Sequence, residues 1–126
     1  MFFTKEHEWI KIEGNIGIIG ITDYAQKELG DIVSIELPKI GARYKKGQSL
    51  AVVDSMKASS EIYAPMSGEV VEINKELEAE PQRINESPYE HGWIAKIKIE
   101  RMDEKNELMG ESEYQSYIEK LKKGEQ

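Results

Sequence analysis

Two stretches of this 126-residue chain follow one plan, and that repetition limits the fold more than any other feature. From Gly30 a strand runs over Asp31 to Leu37, a basic loop follows, and Gly47 leads into Ser49-Leu50-Ala51-Val52-Val53. From Gly68 a strand covers Glu69 to Asn74, a longer loop follows, and Gly92 leads into Trp93-Ile94-Ala95-Lys96-Ile97. Within each half, apolar and polar residues alternate as they do in a strand lying on a core. Val33, Ile35 and Leu37 are set against Ser34 and Glu36, Val71 and Ile73 against Glu72, and Ala95, Ile97 and Ile99 against Lys96 and Lys98. Ile16 to Ile21 is a short apolar run with two glycines, suited to a strand buried on both faces. Several short strands at close spacing point to a sandwich or barrel rather than a parallel sheet. Two such halves can pack with pseudo-two-fold symmetry around one core.

Helical signals are confined to a few places. Asp23-Tyr24-Ala25-Gln26 offers a helix cap with Gln26 placed to reach back, and Gly30 is placed to end that helix. Tyr114, Tyr117, Ile118 and Leu121 fall on one helical face. Ser112 precedes them as the expected cap, and Lys120, Lys122 and Lys123 fall in the last turn. Glu100 to Glu111 reads as a charged connection with one short helix. The expectation is one domain, mainly β, with its core over about residues 1–100 and the connection and C-terminal helix over about 101–126.

Composition narrows the chemistry. With 33% charged residues, a net charge of −7 and a pI near 5.0, the chain has no clustered basic face for phosphate, because its lysines are interleaved with glutamates. Nucleic acid is therefore not an expected partner. An acidic carrier of this kind can be steered toward basic docking surfaces. There is no cysteine, which removes disulfides, thiolate metal sites and a cysteine nucleophile. His7 and His91 are the only histidines and lack ligand spacing. No apolar stretch approaches membrane-spanning length, and Met1-Phe2-Phe3-Thr4-Lys5 lacks the apolar region of a signal peptide, so no membrane role and a cytoplasmic location are expected.

The tract joining the two halves is Asp54-Ser55-Met56-Lys57-Ala58-Ser59-Ser60. Lys57 follows an apolar strand and precedes small polar residues, the composition of an exposed hairpin tip. An enzyme that modifies a lysine must thread the amine into its own active site, and such a tip permits that. Group carriers such as biotin and lipoamide do their own chemistry while the protein presents them. On spacing alone, Lys57 reads as an ordinary solvated turn lysine, as most lysines in turns are.

Context at both ends carries more. Val53-Asp54-Ser55-Met56-Lys57-Ala58, with Ala64-Pro65-Met66-Ser67-Gly68-Glu69-Val70 downstream, resembles the lipoyl-lysine region of the glycine cleavage H-protein family. His7-Glu8-Trp9, Gly20-Ile21-Thr22-Asp23-Tyr24-Ala25-Gln26 and Leu29-Gly30-Asp31-Ile32-Val33 are similar to that family's opening. Glu36-Leu37-Pro38, Ile84-Asn85-Glu86-Ser87-Pro88-Tyr89 and Gly92-Trp93 are similar to its later signatures. The resemblance covers nearly the whole chain. It implies a barrel-sandwich hybrid of two small antiparallel sheets with short helices and a C-terminal helix, and lipoate attached covalently to Lys57. It implies a non-catalytic carrier that takes the aminomethyl group of glycine from a pyridoxal-phosphate-dependent glycine decarboxylase (P protein) to an aminomethyltransferase (T protein) using tetrahydrofolate. A flavin-dependent dihydrolipoyl dehydrogenase (L protein) then reoxidises the arm, and a lipoate ligase or lipoyl transferase loads it. In a eukaryote the location would be the mitochondrial matrix.

In the family the loaded arm folds into a surface cleft. Carried over by position, Glu8 and Glu61 become acidic neighbours of the cationic group, with His7 nearby, since a carboxylate in a partly dry cleft holds an ammonium strongly. The plainer reading of His7-Glu8-Trp9 is an alternating strand with Trp9 in the core and Glu8 in solvent. Asn85, Pro88 and Tyr89 are expected in a long loop over the cleft, where turn chemistry accounts for them. Three positions depart from the family pattern: Asp54 stands where glutamate is usual, Met56 where valine is usual, and Ser34 where a bulky aromatic is usual. Methionine before the lysine is a biotin-carrier trait, but Ala58 after it is not. A related carrier serving another pathway, either a lipoate relay or a lipoate-binding protein of sulfur oxidation, is the alternative, and an unmodified interaction module is a third reading.

Overall fold

In the computed structural model, which describes residues 1–124, the chain forms nine strands and four α-helices among the described residues. In chain order these are β1 (Phe2–Phe3), β2 (Glu8–Glu13), β3 (Ile16–Ile21), α1 (Asp23–Leu29), β4 (Ile32–Glu36), β5 (Arg43–Tyr44) and β6 (Ser49–Ser55). There follow β7 (Ser59–Tyr63), β8 (Gly68–Ile73), α2 (Glu76–Ala79), α3 (Arg83–Glu86), β9 (Ala95–Ile99) and α4 (Glu111–Lys122), with a 3-10 turn over Met102–Glu107 before α4. Every strand pairing is antiparallel. One sheet has the order β1-β2-β3-β9-β8-β5 and the other β4-β6-β7, the two-sheet sandwich that the alternating runs imply.

The repeat survives folding, with a difference the alternation did not predict. Strand β4 pairs with β6 and shifts register between Ile32 and Ser34; β8 pairs with β9 and shifts register between Val70 and Glu72. One extra residue in a strand inverts the facing of everything before it relative to everything after it. Val33 and Val71, three residues after Gly30 and Gly68, are therefore 49% and 40% exposed, while Ile32 and Val70 take the buried places. The expected inward pattern of Val33 and Val71 is overturned by these paired bulges.

Three apolar clusters hold the layers together. Ile10, Ile19, Leu50, Met66, Val70 and Ile97 pack in one part of the sandwich. Ile21, Ile32, Val53, Ile62, Leu77, Ile84 and Ile94 pack in another, with Ala25 and Leu29 of α1 against them. Phe3, Trp9, Tyr114 and Ile118 form the third, which seats α4 on the outer face of the larger sheet. Helix α4 begins at Glu111 with Gly110 at its N-terminal flank, so Ser112 lies inside the helix instead of capping it. The first helix is likewise capped one residue earlier than Asp23. The Thr22 hydroxyl accepts from the Ala25 N–H at 3.2 Å, and Gly30 ends the helix with φ +79° as its sequence position suggested.

Strand β3 can run beneath Trp9 because Gly20 faces it. A Cβ at Gly20 would lie 2.5 Å from the Trp9 ring, which is 1% exposed and donates its indole N–H to the Ile21 carbonyl at 3.0 Å. The ring has nowhere to move, since α4 covers it. Gly20→Ala is expected to lower unfolding free energy by about 1–3 kcal/mol, the usual cost of overpacking a filled core. Urea unfolding measures this, and an unchanged midpoint would show that the ring yields freely.

Candidate functional site

The tip between β6 and β7 is built by Ser55. Its backbone N–H donates to the Ala58 carbonyl at 2.8 Å, and its hydroxyl oxygen accepts from the Lys57 and Ala58 N–H groups at 3.3 and 3.1 Å. Met56 is anchored from below by donating its N–H to the Asp31 carbonyl at 2.9 Å. Met56, Lys57 and Ala58 are all exposed. Two departures noted in the sequence are partners here: Ser34 donates its hydroxyl to Asp54 at 3.0 Å, and Ser59 donates to the other Asp54 oxygen. These hydrogen bonds hold the Asp54 carboxyl below the ordinary carboxylate range.

Lys57 extends its stem over Gly30. A Cβ built there would sit 3.5 Å from the Lys57 Cε, in ordinary contact, but the left-handed backbone of Gly30 disfavours any other residue. The turn that carries Gly30 is clamped by Asn85 of α3. The Asn85 side chain donates to Gln26 Oε1 and to the Gly30 carbonyl, both at 2.9 Å, and accepts from the Ile32 N–H at 2.9 Å. The expected long loop over the cleft thus holds two short helices, and Asn85 does more than make a turn. Tyr89 and Pro88 also reach across: the Tyr89 hydroxyl accepts from the Asp23 N–H at 3.0 Å and the Pro88 carbonyl from the Trp9 indole at 3.1 Å. Their partners lie over fifty residues away, so no local pattern announced them.

Beside this turn lies a cleft of about 150 Å3 lined by residues that include His7, Glu8, Leu29, Val53, Ser60 and Glu61. Three of the residues singled out from sequence, His7, Glu8 and Glu61, therefore meet in one place, and Leu29 brings its wall to within one residue of Gly30. Glu8 is 2% exposed, which overturns the solvent-facing reading of that residue. The first half of strand β2 is covered on both faces, by Ile10 in the sandwich and Trp9 under α4, so alternation sends no side chain to water until Lys11. The Glu8 carboxylate accepts from the Thr4 hydroxyl at 2.5 Å and from the Tyr63 N–H at 3.1 Å. A carboxylate offers about four lone-pair directions, so capacity is left toward the cleft. Glu61 is exposed at the cleft rim and accepts from the Tyr63 hydroxyl at 3.3 Å.

Burial raises the Glu8 pKa above the ordinary carboxylate value, partly offset by the Thr4 and Tyr63 hydrogen bonds. A folded-state pKa above the unfolded one gives stability that is present at acid pH and lost as pH rises through the folded value. Glu8→Gln, which cannot ionise, is therefore expected to gain melting temperature over the parent at neutral pH. That gain should shrink as pH falls below the ordinary carboxylate range. Thermal melts of both proteins from acid to neutral pH check the sign, and a gain that shrinks toward neutrality would refute it.

Among the described residues no group of three or more His, Asp or Glu side chains is placed to hold a metal ion, and no helix is long and apolar enough to cross a membrane. Comparison with known proteins gives consistent matches. The model of the family described as glycine cleavage H-protein matches residues 1–121. The glycine cleavage system H protein of Carboxydothermus hydrogenoformans is 53% identical over 117 residues, covering 93% of this chain and 90% of that protein. That of Xanthobacter autotrophicus is 49% identical, covering 94% and 95%. A crystal structure of the H protein from Mycobacterium marinum superposes with a TM-score of 0.83 at 33% identity, covering 93% of this chain and 94% of that one.

Proposed function

The chain belongs to the glycine cleavage H-protein family, and from that premise we propose that it forms one carrier domain with lipoate attached to Lys57. The lipoyl-carrier role follows from the family; the attachment point and the residues that receive the arm are our reading. The observation that carries it is the position of Lys57, on a tip hydrogen-bonded by Ser55 and lying over Gly30, whose neighbour Leu29 lines a cleft that contains a buried acid. The tip fits an acylated lysine. No salt bridge among the described residues depends on the Lys57 charge, so acylation removes no folded-state ion pair.

Lipoate supplies a redox-active disulfide that takes up the aminomethyl group derived from glycine. This chain presents that arm and shelters it. Glu8, desolvated and with free acceptor capacity, and Glu61 at the rim bind an ammonium in the cleft. Ile21, Val53 and Ile62 supply the apolar walls that exclude water. His7 closes one side. In this reading the protein catalyses no step. Its partners are the glycine decarboxylase, the aminomethyltransferase, the dihydrolipoyl dehydrogenase and a lipoate-attaching enzyme, and its location is cytoplasmic. Intact mass and peptide mapping of protein from its native source should show one lipoyl group on Lys57. Lys57→Arg should fold normally and lose all glycine-dependent carbon dioxide exchange with the cognate decarboxylase. A biotinyl group, or full function in Lys57→Arg, would overturn the proposal.

The surface around the arm is rich in acid. Glu6, Glu28, Asp31 and Glu61 are exposed, Asp54 lies at the tip, and none of them is in a salt bridge among the described residues. An unneutralised acidic face speeds encounter with a basic surface, and salt weakens that attraction as the Debye length falls to about 8 Å at 0.15 M. The decarboxylase KM for the lipoylated protein is accordingly expected to rise several-fold between low and physiological salt, with kcat little changed. Steady-state kinetics at varied salt measure it; a salt-independent KM removes the electrostatic part of the reading.

A further inference from the structure

Helix α4 supplies no residue to the cleft lining, yet one of its side chains reaches two of the segments that do. The Tyr114 hydroxyl lies 2.9 Å from His7 Nδ1 and 2.7 Å from Thr22 Oγ1. His7 immediately precedes Glu8, and Thr22 caps α1, which supplies Ala25, Glu28 and Leu29 to the same lining. We propose that Tyr114 is a positioning residue that fixes the spacing of these two segments of the cleft wall, so that the C-terminal helix governs how firmly the arm is held. The arm-holding part rests on the function proposed above; the wall-fixing part stands on the geometry alone.

Three features support this role over simple packing. His7 has φ +72° and is the only non-glycine residue with positive φ among those described, a conformation that persists only where the surroundings impose it. Its backbone is held at both ends, donating its N–H to the Thr4 carbonyl at 3.1 Å and accepting from the Thr22 N–H at 2.9 Å. Its ring is packed against Tyr24 at 4.5 Å and Tyr117 at 5.9 Å, which leaves Tyr114 to supply the polar contact. The Tyr114 ring is itself placed independently of its hydroxyl, stacked on Phe3 with 4.4 Å between centroids. Burial drives the Tyr114 hydroxyl well above the usual phenol pKa, so it stays a neutral hydrogen-bonding group. One hydroxyl, one hundred and seven residues from His7 in the chain, thereby joins β2, α1 and α4.

Tyr114→Phe keeps the ring and its stack while removing only the bridge. In the unlipoylated protein, amide hydrogen exchange at Ala25, Glu8 and Tyr63, whose N–H groups bond to the tied elements, should accelerate about tenfold or more. Ile19 and Ile97 in the sandwich core should exchange at the parent rate. In the lipoylated protein loaded from glycine by the decarboxylase, release of the glycine-derived amine to water should quicken several-fold. Tyr117→Phe, whose hydroxyl only meets the Lys5 carbonyl at 3.3 Å, and Thr22→Ser, which retains a hydroxyl, should both match the parent. Unchanged exchange at the three cleft amides in Tyr114→Phe overturns the proposal, as does equal acceleration throughout the core, which marks a merely structural residue. Local acceleration without faster amine release supports the positioning role and instead rejects the docked arm.

Discussion

The side-chain amide of Asn85 is the interaction on which the geometry of the site depends. It satisfies the Gly30 carbonyl, the Ile32 N–H and the Gln26 side chain at once, where α1 turns into β4. A buried backbone group left unpaired costs about 1–3 kcal/mol, and this turn would otherwise leave two of them open. With that clamp in place, the carbonyl of Asp31 is fixed to receive the Met56 N–H, and Gly30 lies under the Lys57 stem. The lysine tip is thus braced from below by a helix that follows it by almost thirty residues. A carrier needs that arrangement, because the lysine must be accessible to several enzymes while its backbone stays in one place.

Pseudo-symmetry explains why the lysine end differs from its counterpart. Both halves carry a bulge three residues after their leading glycine, and both push one valine outward. In the first half the strand after the bulge continues into a sheet of only three strands, whose central strand runs out into the tip. In the second half the equivalent strand is enclosed in a sheet of six and leads instead to the 3-10 turn and α4. The same plan therefore yields a free hairpin on one side and an enclosed interior strand on the other. Val33 and Met56, exposed at 49% and 76%, leave an apolar element at the free hairpin within its acidic surround.

Much of this was legible in the sequence, and the failures share a cause. Strands whose two faces differ, such as Ala95 to Ile99, were plain from alternation, and the glycine that ends α1 was plain from its position. Alternation assumes one residue per pleat, so the bulges at Val33 and Val71 reversed the expected facing without changing composition. The burial of Glu8 was hidden because the first half of β2 is covered on both sides, a property of the assembled layers and not of the strand. Asn85, Tyr89 and Tyr114 act on residues 53 to 107 positions away, and a single sequence has no term for such contacts. The family resemblance singled out Lys57, His7, Glu8 and Glu61, the last three of which line one cleft, because it carried spatial information that spacing lacks.

The buried Glu8 shows where stability and function part. Two hydrogen bonds do not offset the several kcal/mol that an ionised carboxylate loses on leaving water, and no cation of this chain stands beside it among the described residues. Selection for stability alone would favour a neutral side chain of the same shape. The neighbouring His7, held at positive φ, adds a second cost at the same strand end. Both costs fall on one wall of one cleft, and the Tyr114 bridge that restrains this wall comes from the part of the chain most remote in sequence. Strain and an under-partnered acid concentrated on the edge of a cavity fit the proposed docking of a cationic guest, which would supply the charge that the wall lacks.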